Sequence, residues 1–429
     1  MSENLQYDAV IIGGGAAGIM AAISCRKSHP TYKIAIVDRT FALGRKILVC
    51  GAGRCNLTNI NLDKEKEQRF YGADPEFIRS VFDQFGYRQI LEFLNDLGIE
   101  TYVERKTKIG KVFPITNQAR TVTALLEDEL QRLAIDVYLN CECLAISQDQ
   151  SLTINCQQQL DPKTKQKKQI TMSAQYVILS AGGRTYPALG ANGSGYNLAE
   201  KLGHKIIEPV PSALPLVGKN PLSQELQGVR MEIEVSSIIE DKKVKTNTDE
   251  VMFTQYGLSG PAILNISREI SIHFHREQKN SAWVKLNFFP GFAAPEVKKL
   301  LQKRWQKRPD QTVEKSLFGI FPNKIPAVLA KIAGINPHKK VSELSPDEQE
   351  TFSQKLSDFR IRITGTRGWN EAEFTAGGVD TKEVKTGTLK SKLIPWLYFC
   401  GEILDVDGDV GGFNLSWAWS SGYVAGKLG

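Results

Sequence analysis

At 429 residues the chain exceeds what one ordinary core organises, so two or three domains are expected. With 41% apolar and 24% charged residues it has the composition of a soluble globular protein, without low-complexity tracts or a run near the ~18 apolar residues of a membrane span. The formal charge is +7, from 54 basic and 47 acidic residues, and seven scattered cysteines read as reduced thiols rather than a disulfide framework.

The polar first eight residues enter an apolar run directly, with no signal-peptide pattern, so the cytoplasm is the expected compartment. The run Ala9–Ile12 stops at Gly13-Gly14-Gly15-Ala16-Ala17-Gly18, a helical stretch follows, and a second β-branched run ends on Asp38. Strand, G-x-G-x-x-G and helix in that order predict a dinucleotide site. Gly13 permits the turn, Gly15 admits a pyrophosphate and Gly18 lets the helix pack close. The helix N-terminus faces the anion. Asp38, 20 residues past Gly18, is placed to accept from a ribose diol.

Further on, Gly44–Asn59 is rich in Gly and Cys. Helical periodicity covers Pro75–Leu97 and Thr121–Leu133. Val137–Ala145, Leu152–Cys156 and Ile170–Ala174 read as an antiparallel meander, and Tyr176–Ser180 as a separate buried parallel strand ending in Ala181-Gly182-Gly183. Met231–Val244 and Val251–Thr254 alternate as strands, and Ser271–Phe289 reads as another strand pair, together suggesting a β-rich insert. Pro295–Phe359 is helical in pattern, Arg360–Thr364 strand-like, Leu397–Cys400 a strand and Asn414–Gly426 a helix.

The basic excess sits largely in two runs. Lys163–Lys168 reads as a solvated hairpin tip. Lys298–Arg308 reads as an amphipathic helix with Leu300, Leu301 and Trp305 on its apolar side. Either run could meet nucleic acid, but a charge run is usually a wet face, and nucleic acid is not the expected partner.

Near the C-terminus a strand ends at Gly401-Glu402, a polar loop follows, and Gly411-Gly412 open a helix. Helix-terminal N–H groups at that point suit the pyrimidine edge of a flavin and would stabilise its anionic reduced form. Trp417 and Trp419, two apart, face different sides, and at least one is expected to be packing.

Six segments carry a family resemblance: Gly44–Asn59 with Arg54-Cys55-Asn56, Ala181–Gly183, Gly190–Tyr196, Gly257–Pro261, Thr375–Val379, and Gly401–Gly422 with Gly411–Leu415. On these the chain resembles the bacterial FAD-dependent oxidoreductase family that includes aminoacetone oxidase and the 3-dehydro-bile-acid reductases. The resemblance implies an α/β fold: a three-layer, Rossmann-like FAD-binding domain with a parallel sheet, built from both termini (1–200 and 375–429). A β-barrel-like insert (201–292 and 360–374) and a small helical insert (293–359) interrupt it. Motifs and resemblance together give the expected cofactor contacts as Gly13, Gly15, Ala16, Ala17, Gly18, Asp38, Arg39, Lys46, Gly53, Arg54, Cys55, Asn56, Thr58, Ala181, Gly182, Gly183, Gly401, Glu402, Asp409, Gly412, Phe413, Asn414 and Leu415.

Rival readings attach to several residues. Cys50 and Cys55 have the spacing of a flavoenzyme redox dithiol. No second nicotinamide-type glycine motif follows a strand, however, and the family commonly has Ser or Thr at the position of Cys50. Arg39 could mark NADP, but Asp38 would repel the 2′-phosphate, so FAD is preferred. His273 and His275, at strand spacing without an acidic partner, make a poor metal site. The expectation is therefore an FAD-dependent oxidoreductase passing hydride through flavin N5 to or from a small organic substrate, with NAD(P)H as a candidate transient reductant. Catalytic residues are not identified; Arg54, Tyr256 and Ser259 are candidates, and Tyr186 and Asn265 could line the substrate. An RNA-modifying flavoenzyme and a non-catalytic flavin redox sensor are the alternatives.

Overall fold

The computed structural model describes residues 3–104, 110–148, 151–161, 166–218 and 220–429. Part of the basic run Lys163–Lys168 lies outside them. The chain forms two units, Met1–Pro211 with Glu373–Gly429, and Ser212–Ala372. Among the described residues no helix is long and apolar enough to cross a membrane.

The first unit begins with β1 (Glu3–Ile12), α1 (Ala16–Ser28) and β2 (Ile34–Val37), with β1 and β2 parallel. Both strands are covered on both faces, so their buried residues run consecutively instead of alternating. α1 is buried continuously from Ala17 to Cys25, as a helix lying between two layers must be. The expected helix over Pro75–Leu97 is instead two, α2 (Pro75–Phe82) and α3 (Tyr87–Asp96). Gly86 breaks it with extended backbone and starts the second helix, its N–H held by the Gln89 side chain at 3.1 Å. α4 (Ala119–Arg132) leads to β3 (Asp136–Tyr138), β4 (Cys141–Gln148), β5 (Leu152–Asp161) and β6 (Gln166–Leu179).

β6 corrects the expectation of two strands. It is one continuous strand that pairs antiparallel with β5 through Ala174 and parallel with β1 as far as Leu179. The sheet order is β3-β2-β1-β6-β5-β4. The chain then passes through β7 (Ile206–Ser212).

In the second unit, β8 (Arg230–Ile239) and β9 (Lys242–Thr254) form a hairpin. The alternating run Met231–Val244 therefore spans a turn. Glu240 and Asp241 both take positive φ (48° and 61°), the geometry that matches strand twist in a two-residue hairpin. α5 (Pro261–His275) overturns half of the expected pair at Ser271–Phe289, where only β10 (Ala282–Asn287) is a strand. Ile263, Ile266 and Ile270 supply its buried stripe. His273 and His275 consequently face different sides of a helix. His273 also has an acidic neighbour, Glu277, at 2.9 Å.

α6 (Ala294–Lys307), α7 (Lys324–Ile332) and α8 (Pro346–Ser357) precede β11 (Phe359–Ile363). The sheet runs β11-β10-β8-β9 and then through the short strands Gly257–Ser259, Leu216–Val217 and Gly365–Thr366. Its two outermost strands are separated in sequence by Thr364 alone, so the sheet curls until its ends meet along the chain. Val297, Leu301 and Trp305 of α6 share one apolar cluster with Val284, Leu286 and Ile361 of the strands.

Back in the first unit, β12 (Phe374–Val379) pairs with β7, and β13 (Leu397–Phe399) adds in parallel to the end of β6. α9 (Phe413–Gly426) then lies along α1. A Cβ at Gly422 would overlap the Ala17 carbonyl oxygen, and one at Gly426 the Ala21 carbonyl oxygen. The two helices therefore touch backbone to backbone. Gly422→Val should lower unfolding stability by about 1–3 kcal/mol or more through overpacking. Gly368→Ala, whose added methyl meets nothing within 4 Å, should stay within about 0.5 kcal/mol. Denaturant titration of the two variants is the comparison.

Candidate functional site

The first unit gathers its glycine turns at the C-terminal ends of β1, β6 and β13. At Gly13 (φ +104°) an added Cβ would stand 2.5 Å from the Ser180 carbonyl oxygen, and at Gly18 it would overlap the Gly13 carbonyl. The Ser180 hydroxyl donates to the carbonyls of Ile12 (3.0 Å) and Gly13 (2.8 Å), which holds the two turns together. Gly15 differs from both. It caps α1 with negative φ, and a Cβ there would meet nothing within 4 Å. Its missing side chain therefore serves a space outside the protein at a helix N-terminus, as an approaching phosphate requires.

Asp38 follows β2. Its Oδ2 accepts the Gly14 N–H at 2.6 Å, and its Oδ1 accepts the Thr40 N–H and hydroxyl at 2.7 Å. The carboxylate is thus locked beside the glycine turn. Arg39 turns away to Glu142, 3.7 Å distant.

The second part of the site is a polar node. Lys46 Nζ donates to Thr185 Oγ1 at 2.6 Å and to Glu402 Oε2 at 2.8 Å, while Glu402 Oε1 accepts the Thr375 N–H at 2.8 Å. Thr375 Oγ1 accepts the Arg184 N–H at 2.9 Å. Four segments distant in sequence are joined through one ammonium and one carboxylate. Gly183 lies against this node, where any Cβ would collide with Thr375. Glu373, just before β12, lies within electrostatic reach of Lys46 and Lys111, and desolvation pushes its carboxyl above the usual carboxylate range.

The third part joins residues 56–59 to the start of α9. Thr58 Oγ1 and Ser416 Oγ are 2.8 Å apart, Asn59 Nδ2 donates to the Gly411 carbonyl at 2.8 Å, and Trp419 Nε1 donates to the Leu57 carbonyl at 3.2 Å. Trp417 is likewise buried, its Nε1 on the Gly401 carbonyl at 3.2 Å, so both tryptophans pack. Gly412 has φ +102°, and a Cβ there would overlap the Thr58 carbonyl. Beside it, the buried Asn56 Oδ1 is left without a hydrogen-bond partner. A buried acceptor left open is costly unless a donor arrives. The open Gly15 cap and the orphaned Asn56 oxygen both fit a bound nucleotide cofactor with an N–H to offer.

Other expected residues have protein partners. Arg54 pairs with Glu104 at 2.9 Å and lies 4.2 Å from the Phe113 ring centre. Asp409 accepts from Arg69 (3.0 Å) and Tyr71 (2.9 Å), and Asn414 brackets Gly408 with two hydrogen bonds. Phe413 packs edge-on to Phe70. Cys50 and Cys55 are free thiols. The hydrogen bond between them lowers the Cys50 thiol from its ordinary value and raises that of Cys55. Tyr256, with Arg367 4.7 Å over its ring, and Ser259 belong to the second unit. Thr185 and Glu373 were not singled out from sequence. Thr185 stands two residues past Gly183, the signal that could have found it.

The chain is an FAD-dependent oxidoreductase of the Rossmann type, as its family and relatives show. The chain belongs to the family described as HI0933-like protein Rossmann domain, which matches residues 7–428. It is 37% identical over 422 residues to a 3-dehydro-bile acid delta(4,6)-reductase of Clostridium scindens, covering 97% of each chain. It is 29% identical to a ribosomal RNA dihydrouridine synthase of Escherichia coli, covering 98% of each. Among solved structures it is similar in fold to a quinol-fumarate reductase with menaquinol molecules (TM-score 0.51, 15% identity, 99% of this chain and 70% of that one). A 3-ketosteroid delta1-dehydrogenase from Sterolibacterium denitrificans gives a TM-score of 0.50 at 11% identity, with 98% of each chain covered.

The three glycines of the first turn have separable roles. Gly15→Leu is expected to melt as the flavin-free wild type does, yet to purify without most of its flavin absorbance. Gly18→Ala should lose folding stability as well, because its methyl has nowhere to go. Calorimetry of flavin-stripped protein beside absorbance of the purified protein separates the two outcomes. Gly412 gives no such clean test, since its left-handed backbone and the Thr58 contact strain any substitution.

Proposed function

We propose that this chain reduces a carbon–carbon double bond conjugated to a carbonyl group, using FAD and a nicotinamide reductant. The observation that supports it is the end-to-end likeness to two kinds of relative. A 3-dehydro-bile acid delta(4,6)-reductase and a ribosomal RNA dihydrouridine synthase bear names that describe different substrates and one bond type, an alkene polarised by a neighbouring carbonyl. Aminoacetone-type amine oxidation has no counterpart in those names.

In this reading Gly13–Gly18 and Asp38 hold the adenosine diphosphate half of FAD, and Ala181–Gly183, residues 53–58 and Gly401–Leu415 hold the flavin half. Bound flavin supplies hydride equivalents at N5. Such a reduction adds hydride at the carbon β to the carbonyl and a proton at the α carbon. Negative charge grows on the carbonyl oxygen meanwhile, and main-chain N–H groups or the Lys46 ammonium can meet it. The proton needs a donor held in its acid form. Glu373 has that character: desolvation disfavours its anion, so it stays protonated above the usual carboxylate range.

The test is anaerobic. NADH or NADPH should bleach the flavin of the purified protein, and a conjugated cyclic enone should then restore the colour, yielding the saturated ketone. Bleaching by aminoacetone alone, with recolouring only in oxygen, would overturn the reading. Deprotonation removes the donor, so turnover should fall as pH rises through the elevated Glu373 pKa. Glu373→Gln should lower kcat by about 10²-fold or more and abolish that alkaline limb, leaving bleaching by NAD(P)H intact.

A further inference from the structure

One surface of the second unit is strongly basic. On α6, Leu300, Lys303, Arg304 and Lys307 fall at i, i+3, i+4 and i+7 and form one stripe. The stripe walls a groove of about 760 Å³ that Arg308, Lys315 and Phe318 also line. No acidic residue lines it among the described residues. The other faces of α6 are committed elsewhere. Val297, Leu301 and Trp305 are buried, and Lys298 and Gln302 are tied to Glu350 (2.9 Å) and Gln349 (2.8 Å) of α8.

The groove is held open by hydrogen bonds across its floor. The Arg304 guanidinium donates to the carbonyls of Ser316 (3.1 Å) and Phe318 (3.4 Å), and Trp305 Nε1 donates to Ser316 Oγ (3.0 Å). Arg304 is therefore structural. Lys303, Lys307, Arg308 and Lys315 are exposed, and among the described residues no carboxylate stands within ion-pairing distance of any of them. Phe318, 42% exposed, offers an aromatic face beside them.

We propose that this groove binds single-stranded RNA, with Lys303, Lys307, Arg308 and Lys315 on phosphates and Phe318 beneath a base. Cations tracking a backbone beside a stacking platform are what sequence-tolerant single-strand binding requires. The groove is concave, whereas a membrane surface calls for a planar apolar face ringed by cations. Choosing a uridine-bearing strand rests on the conjugated-alkene reading, since the uracil C5=C6 bond is conjugated to its C4 carbonyl. The charge argument stands without it.

The experiment is fluorescence anisotropy of a fluorescein-labelled oligouridine with the full-length, flavin-loaded protein across a salt series. Wild type should bind, with log affinity falling against log salt at a slope of about −0.7 per phosphate contact. The triple variant Lys303→Ala, Lys307→Ala, Lys315→Ala should bind at least about tenfold more weakly, with a slope shallower by about two. Phe318→Ala should weaken binding several-fold with the slope unchanged. Flavin content, melting temperature and enone turnover of the triple variant should match wild type, because these exposed lysine side chains make no hydrogen bond or ion pair with the rest of the described chain.

No oligouridine binding by wild type, or equal binding by the triple variant, would overturn the proposal. So would binding of phosphatidylserine vesicles, abolished by the same substitutions, without RNA binding. Anisotropy needs no turnover, so RNA binding without enone reduction would sink only the conjugated-alkene reading.

Discussion

The contact on which the first unit depends is the backbone approach of α1 to α9. Gly422 and Gly426 present bare backbone to Ala17 and Ala21, so the first and last helices lie closer than any side chain would permit. That approach brings Gly401 against the start of α1. Gly401 itself is packed so near Ala17 that a Cβ would stand 2.7 Å from the alanine methyl. A cofactor site made from both ends of a chain needs such a clamp, because loop closure over a long insert opposes it entropically. Burial supplies the compensation. Trp417, Trp419, Phe399 and Phe413 are all nearly or wholly buried, each worth on the order of 1.5–3 kcal/mol or more against exposure.

Electrostatics then refines what packing assembles. The Lys46–Glu402 pair at 2.8 Å is partly shielded from solvent, and its value lies less in net stability than in geometry. Glu402 spends one oxygen on Lys46 and the other on the Thr375 N–H, so the turn after β13 cannot shift without unpairing both. Desolvation drives the Glu373 carboxyl, just before β12, toward the neutral form, although the Lys46 and Lys111 charges oppose the shift.

Legibility in the sequence followed how local each constraint was. The turn at Gly13–Gly18 was readable because a tight turn, a helix cap and a close approach each demand glycine within six residues. The order of β1, α1 and β2 was readable for the same reason. β6 was not: Gln175 looks like a break, yet it lies inside one strand that β1 pairs on either side of it, at Ala174 and Tyr176. Ser271–His275 alternates polar and apolar residues, but three isoleucines at helical spacing, upstream of the misread stretch, decide the matter. The Glu240-Asp241 turn lacks the Asn-Gly signature that advertises a hairpin. Lys46 and Glu402, 356 residues apart, could not be paired by any local rule.

The basic run Lys298–Arg308 shows the same limit acting on function. In sequence its cations are interchangeable, and a solvated face is the economical reading of them all. Folding divides them into three kinds. Lys298 anchors α6 to α8 through Glu350, Arg304 spans to the Ser316 and Phe318 carbonyls, and Lys303, Lys307 and Arg308 line a groove in which, among the described residues, no carboxylate stands. Lys315, outside the run, joins this third group only because the chain doubles back after α6. Unneutralised like charges facing a common groove repel one another, at a cost to the folded state that a bound polyanion removes. A surface whose only function was hydration could relieve that repulsion with a single acidic residue in the groove, whereas Glu314 faces His338 and Glu348 holds Lys339.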